Sequence, residues 1–269
     1  MTWQTEDLFD AATDLVDREA RRLHALGAIA KNHPDKFDKE GVFAMSRALT
    51  YVVCGGILEK LMRDLPAAIS DDVLSLRLQR SDVPSSLLAV LAASSFQKCN
   101  QRTTRTLIAR VGLLAEAFQH ASDARPMTAF GDDLALADGT TIAVAQFEAL
   151  WVLLDLPGHW HNIPADALLM RELTQKRNDV AHWDIDPVDV GKSRNTADLV
   201  KITTQLRSLL DHVGLTVCEW LDGLTNSRPI QAAQAPGGLF RDAQQTAALR
   251  RWPGEAPCFM IILNKPPGS

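Results

Sequence analysis

Apolar residues recur at helical spacing through most of this chain. Over residues 5–31, Leu8, Ala11, Ala12, Leu15, Val16, Leu23, Leu26 and Ala30 alternate with charged residues. The spacing predicts a long amphipathic helix that ends near Asn32, His33 and Pro34. A second long helix is predicted over 39–65, closed by Pro66. Its middle, TYVVCGGIL, is apolar on nearly every face and should run through a core. Gly55 and Gly56 lie in that middle, where each costs about 1 kcal/mol of helix propensity relative to Ala. Close approach of another helix backbone, or of a twin subunit, would compensate for that cost.

Helical spacing returns over 84–118, in two segments broken near 98–101. Residues 121–143 differ: ASDARPM reads as a loop, and LALADGTTIAV alternates around Asp138 and Gly139, which predicts a small hairpin. Helix resumes over 145–156, breaks at Pro157 and Gly158, and restarts near Pro164, a residue suited to a first helical turn. A polar, turn-rich stretch then runs to Arg194. Asn195 or Thr196 caps a last long helix over 198–221. The expected fold is all-α, a bundle of long helices with a minor β-hairpin or strand feature.

Composition supports one helical domain over 1–222 followed by an appendage. The chain has 269 residues, 46% hydrophobic and 23% charged, enough apolar material to exclude global disorder. After Gly223 the character changes: residues 223–269 contain six of the 13 prolines and one strand-like run, CFMIIL at 258–263. A partly ordered appendage is expected there. Lysine and arginine total 28 against 33 acidic residues, a net charge of −5. A polycation of histone type is thereby excluded, and any nucleic-acid contact must come from a local site. Cys54, Cys99, Cys218 and Cys258 form no CxxC pair and read as small apolar residues. The acidic start MTWQTEDLFD lacks the pattern of a signal peptide, and the longest apolar stretch, Leu49 to Leu58, is about half what a membrane span needs. The expectation is a cytoplasmic protein without a membrane partner.

One segment stands out chemically: KRNDVAHW at 176–183, with Arg177, Asn178 and His182 in an R-N-x-x-x-H pattern near a helix end. With 19 Arg, 7 Asn and 7 His in the chain, about 0.01 chance matches are expected. At about 100° per residue, Asn178 and His182 share one helix face, away from an apolar stripe of Leu169, Leu173 and Val180. Arg177 lies on the flank of that stripe, offset from His182 by about 140°. One helix therefore converges the two poorly, and a two-fold dimer that brings two motifs to one groove would solve this.

Arginine and histidine without a carboxylate cluster suit RNA cleavage. RNA carries its own nucleophile, the 2′-hydroxyl beside the scissile phosphate. The reaction needs a base for that hydroxyl, an acid for the 5′-oxygen, and a cation for the phosphorane. Imidazole, with an ordinary pKa of about 6.5, serves as either base or acid. A guanidinium matches non-bridging phosphoryl oxygens and keeps its charge. No metal or other cofactor is required.

The R-N-x-x-x-H stretch at a helix end of an all-α chain resembles the HEPN superfamily, and its RN-x-x-AH form is most similar to the RiboL-PSP type. The upstream helix MSRALTYVVCGGILEKLM (45–62) resembles the second helix of that family, with a small/Arg start, an apolar middle and a late Glu. The resemblance covers about 5–222. It implies a HEPN-like bundle and a metal-independent endoribonuclease that leaves 2′,3′-cyclic phosphate ends. Arg177, Asn178 and His182 would be catalytic and Glu59 supporting, with an RNA substrate and a homodimeric state. It also implies a toxin or defence effector with a cognate antitoxin. Trp183 stands where the family often has Gly after the His.

Plainer readings compete with this one. A cationic residue at a helix C-terminus is favoured by the helix dipole whatever its function. Some HEPN-like domains bind nucleotide, RNA or protein without cleaving anything, and such a non-catalytic module is the alternative. An all-α adaptor whose tail recruits a partner is a third. His159 and His161 read as solvated or capping histidines of a loop rather than as a metal pair. Lys98, Arg102, Arg105 and Arg110 read as a solvated face.

Overall fold

The computed structural model describes residues 2–32, 38–91, 126–130, 136–137 and 141–226. These residues form an all-α fold built on three long helices. They are α1 (Gln4–Asn32), α2 (Val42–Ser75) and α6 (Thr196–Asn226), of 29, 34 and 31 residues. Between them lie α3 (Val144–Leu154), α4 (Ala165–Ala181) and α5 (Pro187–Lys192). A 3-10 turn at Arg80–Asp82 and a helical segment at 85–91 follow α2.

Polar clasps at the helix ends fix how the long helices run. Both carboxylate oxygens of Asp72, near the end of α2, accept the backbone N–H groups of Gln4 and Thr5 at 2.9 Å each. A buried side chain of one helix thus caps the exposed donors that open another. At the far end of α1, Arg22 forks onto Glu19 at 2.6 and 2.7 Å and reaches Ser46 O and Thr50 Oγ1 early in α2. The two helices are therefore antiparallel. The indole of Trp3 donates to Asp222 at 3.0 Å, and Gly27 lies against Thr196, so α6 is antiparallel to α1 as well. Val16, Leu23, Leu58, Leu61, Leu65, Leu206 and Val213 fill the space between them.

The second helix departs from expectation. It runs past Pro66, which lies inside it, to Ser75. A mid-helix proline costs about 3 kcal/mol. Leu65, Ile69 and Val73 are fully buried on either side of Pro66, and their burial holds the helix together. By length and composition α2 is also apolar enough to cross a membrane, which the short run Leu49–Leu58 does not suggest, and half of its most apolar window is buried. It packs against α1, α4, α5 and α6.

Other boundaries differ by less. Asn195 is the cap of α6, its Oδ1 accepting Asp198 N–H at 2.9 Å, and α6 continues through Gly223 to Asn226. The stretch before Arg194 contains α5, missed because six residues are too few to show a period. Asp186 caps it through the N–H of Val188 at 2.8 Å. A close helix approach also occurs at α5. A Cβ on Gly191 would lie 1.7 Å from the Ala44 carbonyl oxygen, and Arg47 Nε donates to the Gly191 oxygen at 2.8 Å. No strand occurs among the described residues, where an isolated bridge joins Gln79 to Pro126. The Asp138–Gly139 turn, the cluster Lys98 to Arg110, and the run at 258–263 lie outside the described residues.

Candidate active site

Helix α4 carries the motif and is fixed at both ends. At its start, Asp166 is buried; its Oδ2 accepts the N–H groups of Asn162 and Ile163, and its Oδ1 accepts Gln205 Nε2 of α6 at 2.9 Å. Leu169, Met170, Leu173 and Val180 form the buried stripe. Glu172 lies beside Tyr51, and Arg177 lies beside Gly55 and Glu59, so α4 runs parallel to α2.

Arg177 leaves this helix across the surface of α2. Its Cγ would be 2.7 Å from a Cβ on Gly55, so the missing side chain is what admits the guanidinium stem. Gly56, by contrast, faces open space. Nη2 of Arg177 meets Glu59 Oε1 at 2.7 Å, with the two side chains 21% and 32% exposed. The contact is a charge pair without hydrogen-bond alignment, because Oε1 is buried and has no hydrogen bond among the described residues. Nη1 donates to Asn178 Oδ1 at 3.2 Å.

Asn178 has a further partner that sequence reasoning missed. Thr141 Oγ1 donates to Asn178 Oδ1 at 2.6 Å, and Thr174 Oγ1, one turn earlier, donates to Ile142 O at 2.8 Å. The 141–142 segment is thus stapled along α4. With Oδ1 engaged twice, the amide flip is set and both Nδ2 protons of Asn178 are left to donate elsewhere. Thr141 is 37 residues away in the chain, and nothing in its local sequence marks it.

His182 ends the helix as its C-cap, with φ −97° and ψ −1°, and its N–H bonds to Asn178 O at 3.0 Å. Its side chain is exposed and makes no hydrogen bond, ion pair or ring contact among the described residues. The structure thus joins Arg177, Asn178 and Glu59, and leaves His182 one turn on, apart from the other three.

Adjacent polar groups stiffen the region. Tyr51 donates to Glu172 Oε1 at 3.1 Å, and Arg194 forks onto both Glu172 oxygens at 3.1 and 3.0 Å. Burial, then the Glu172 charge, push the Tyr51 phenol well above its ordinary range, and the Glu172 hydrogen bonds raise Arg194. Cys54, fully buried in the same helix as Tyr51, has its thiol pushed up to about 12, by burial first and then by the Glu19 charge. It is a core residue and not a nucleophile.

The remaining candidates are structural. Trp160 is buried and stacks on Phe147 at 5.3 Å. The rings of His159 and His161 stack on each other, and His212 Nε2 shares a hydrogen bond with the His159 carbonyl at 3.0 Å. A hollow of about 380 Å³ lies between α1 and α2, lined by Gln4, Asp7, Ala11, Asp64 and Asp71, with none of the motif residues.

Compared with family models, curated proteins and solved structures, the chain gives no match.

Proposed function

We propose that this chain is a metal-independent endoribonuclease of HEPN type, cutting RNA by attack of the 2′-hydroxyl and acting as a two-fold homodimer. The observation that carries the reading is the state of His182. Its imidazole stands exposed at the end of α4, while Arg177 and Asn178 are linked by a hydrogen bond one turn earlier. An imidazole in that position takes the proton of the attacking 2′-hydroxyl or returns one to the departing 5′-oxygen. Arg177 faces the non-bridging oxygens of the phosphorane, where such charge stabilisation is worth about 3–4 kcal/mol. The free Nδ2 protons of Asn178 donate to the same phosphate.

One copy supplies a single His182, whereas the reaction uses both a base and an acid. A second copy provides the other. The outward face of α2 suits that contact: Val42, Leu49 and Val53 are 48%, 45% and 39% exposed at spacings of seven and four, followed by exposed Gly56. Light scattering is expected to show a dimer, and a strict monomer would remove the partner on which the shared cleft depends.

A second reading, a module that binds nucleotide, RNA or protein without cleavage, is favoured by the Glu59 carboxylate that already partly neutralises Arg177. One experiment separates the two. Purified protein incubated with total RNA in EDTA should give fragments with 2′,3′-cyclic phosphate or 3′-phosphate ends. Fragments with 3′-hydroxyls, or a need for magnesium, would overturn the mechanism, and intact RNA would favour the binding module.

A further inference from the structure

We propose that Trp183 is a stacking platform for an unpaired base of single-stranded RNA next to the phosphate held by Arg177 and Asn178. The inference rests on the endoribonuclease reading and adds to it the form of the substrate.

The backbone supplies the first observation. Trp183 follows the His182 cap in the left-handed conformation, at φ +58°. Glycine is the usual residue at this point of a helix end, because a side chain there meets steric resistance. The conformation is held from both sides: Trp183 N–H bonds to Val180 O at 3.4 Å, and Ile185 N–H to Asp179 O at 3.3 Å. A large ring is thus fixed at a position where a ring is not the easy choice. Strain at a residue bordering reactive groups points to a use for that residue.

The ring itself supplies the second observation. Trp183 is 69% exposed, whereas the other described tryptophans, Trp3, Trp151, Trp160 and Trp220, are buried or half-buried. Its indole N–H and its faces have no partner among the described residues. It adds no burial to the core, so the fold gains nothing from its size. It adjoins His182, the exposed group assigned to proton transfer.

Electrostatics supply the third. The chain carries a net charge of −5, and Asp184, Asp186 and Asp189 follow Trp183 directly. Long-range attraction for a polyanion is weak on such a surface, so affinity must come from contacts that do not need charge. Base stacking on an aromatic ring is such a contact and tolerates any base. The carboxylates repel phosphate, which directs the backbone of the bound strand towards Arg177 while the base covers Trp183. A duplex keeps its bases stacked inside, so it cannot make this contact.

The test measures binding without cleavage. The probe is a fluorescent single-stranded oligodeoxyribonucleotide of mixed sequence, which lacks the attacking 2′-hydroxyl and cannot be cut by this mechanism, titrated in EDTA with wild-type protein, Trp183→Gly and Trp183→Phe. Glycine suits the left-handed backbone, so Trp183→Gly is expected to fold with unchanged or higher Tm. Its Kd should rise by about 5- to 100-fold, while Trp183→Phe stays within about threefold of wild type. A blunt, fully paired duplex of the same composition should bind wild type no better than the single strand binds Trp183→Gly. An unchanged Kd for Trp183→Gly, or equal affinity for duplex and single strand, would overturn the proposal. So would a loss of binding accompanied by a change of oligomeric state in light scattering, which would make Trp183 a protein contact. Failure of the ribonuclease reading looks different: an all-ribose strand would stay uncut while its binding still depended on Trp183.

Discussion

Arg177 crosses α2 at Gly55, and the absence of a side chain on Gly55 gives the guanidinium its path to Glu59. The glycine costs α2 about 1 kcal/mol of helix propensity, and what it gains is the position of a cation on a neighbouring helix. Adding one methyl group should therefore separate stability from function. In Gly55→Ala the new Cβ would lie 2.7 Å from Arg177 Cγ, so the stem must move. The Cγ is near the root of the side chain, so the Tm is expected to fall by a few degrees with the protein still folded, while RNA cleavage falls by about 10- to 100-fold, the usual effect of misplacing a catalytic group. Thermal melts and cleavage rates on the same preparation check both halves.

His182 is exposed and packs nothing. His182→Ala should shift stability by less than about 0.5 kcal/mol. Turnover should fall by about 10²–10⁴-fold. Arg177→Lys keeps the charge but loses the fork that spans Glu59 and Asn178, so its cleavage should fall markedly as well. Wild-type cleavage by folded His182→Ala would remove this residue from the mechanism.

Thr141 sets the flip of Asn178 from outside the helix. Thr141→Val keeps the shape of the side chain and removes the donor, at a cost of about 1 kcal/mol in stability. The amide then keeps only the longer Arg177 bond on its oxygen and is held less firmly in this orientation. We expect weaker binding of the non-cleavable strand and slower cleavage, with Thr141→Ser restoring both. Rescue by serine distinguishes the hydroxyl from mere packing.

The buried thiol and phenol of α2 make stability sensitive to alkali. Cys54 is raised from its ordinary 9.0 to about 12, and Tyr51 is raised above its ordinary 10.0. Both are acids whose neutral form the fold favours. Between pH 9 and 12 the unfolded chain therefore loses protons that the folded chain keeps, and stability falls as pH rises through that window. Below about pH 8 neither group contributes a slope. Half-buried Cys218, raised to about 11, adds to the same trend. Urea midpoints at pH 8, 9, 10 and 10.5 should decline progressively, and Cys54→Ala should flatten part of the decline. A midpoint independent of pH up to 10.5 would contradict it.

Much of this protein is local in origin and so could be read from the sequence. The period of apolar residues gives α1, α4 and α6 within a few residues, because an amphipathic helix needs only its own stripe and caps. Pro164 and Asn195 mark helix starts by their own chemistry. The R-N-x-x-x-H segment and its place at a helix end are legible in the sequence as well. The rest depends on neighbours in space. Pro66 does not stop α2, because burial on both sides outweighs the lost hydrogen bond. The glycine that admits a backbone is Gly191, whereas Gly55 admits the Arg177 side chain and Gly56 faces open space, since only the packing of the helices decides which one is crossed. Glu59 meets Arg177 because α4 lies parallel to α2, and Thr141 reaches Asn178 because a loop is stapled there by Thr174. Such pairings join residues tens of positions apart, and no local pattern encodes them. Trp183 shows both levels at once: the sequence places an aromatic residue after the histidine, and only the fold turns it left-handed and leaves its ring in solvent.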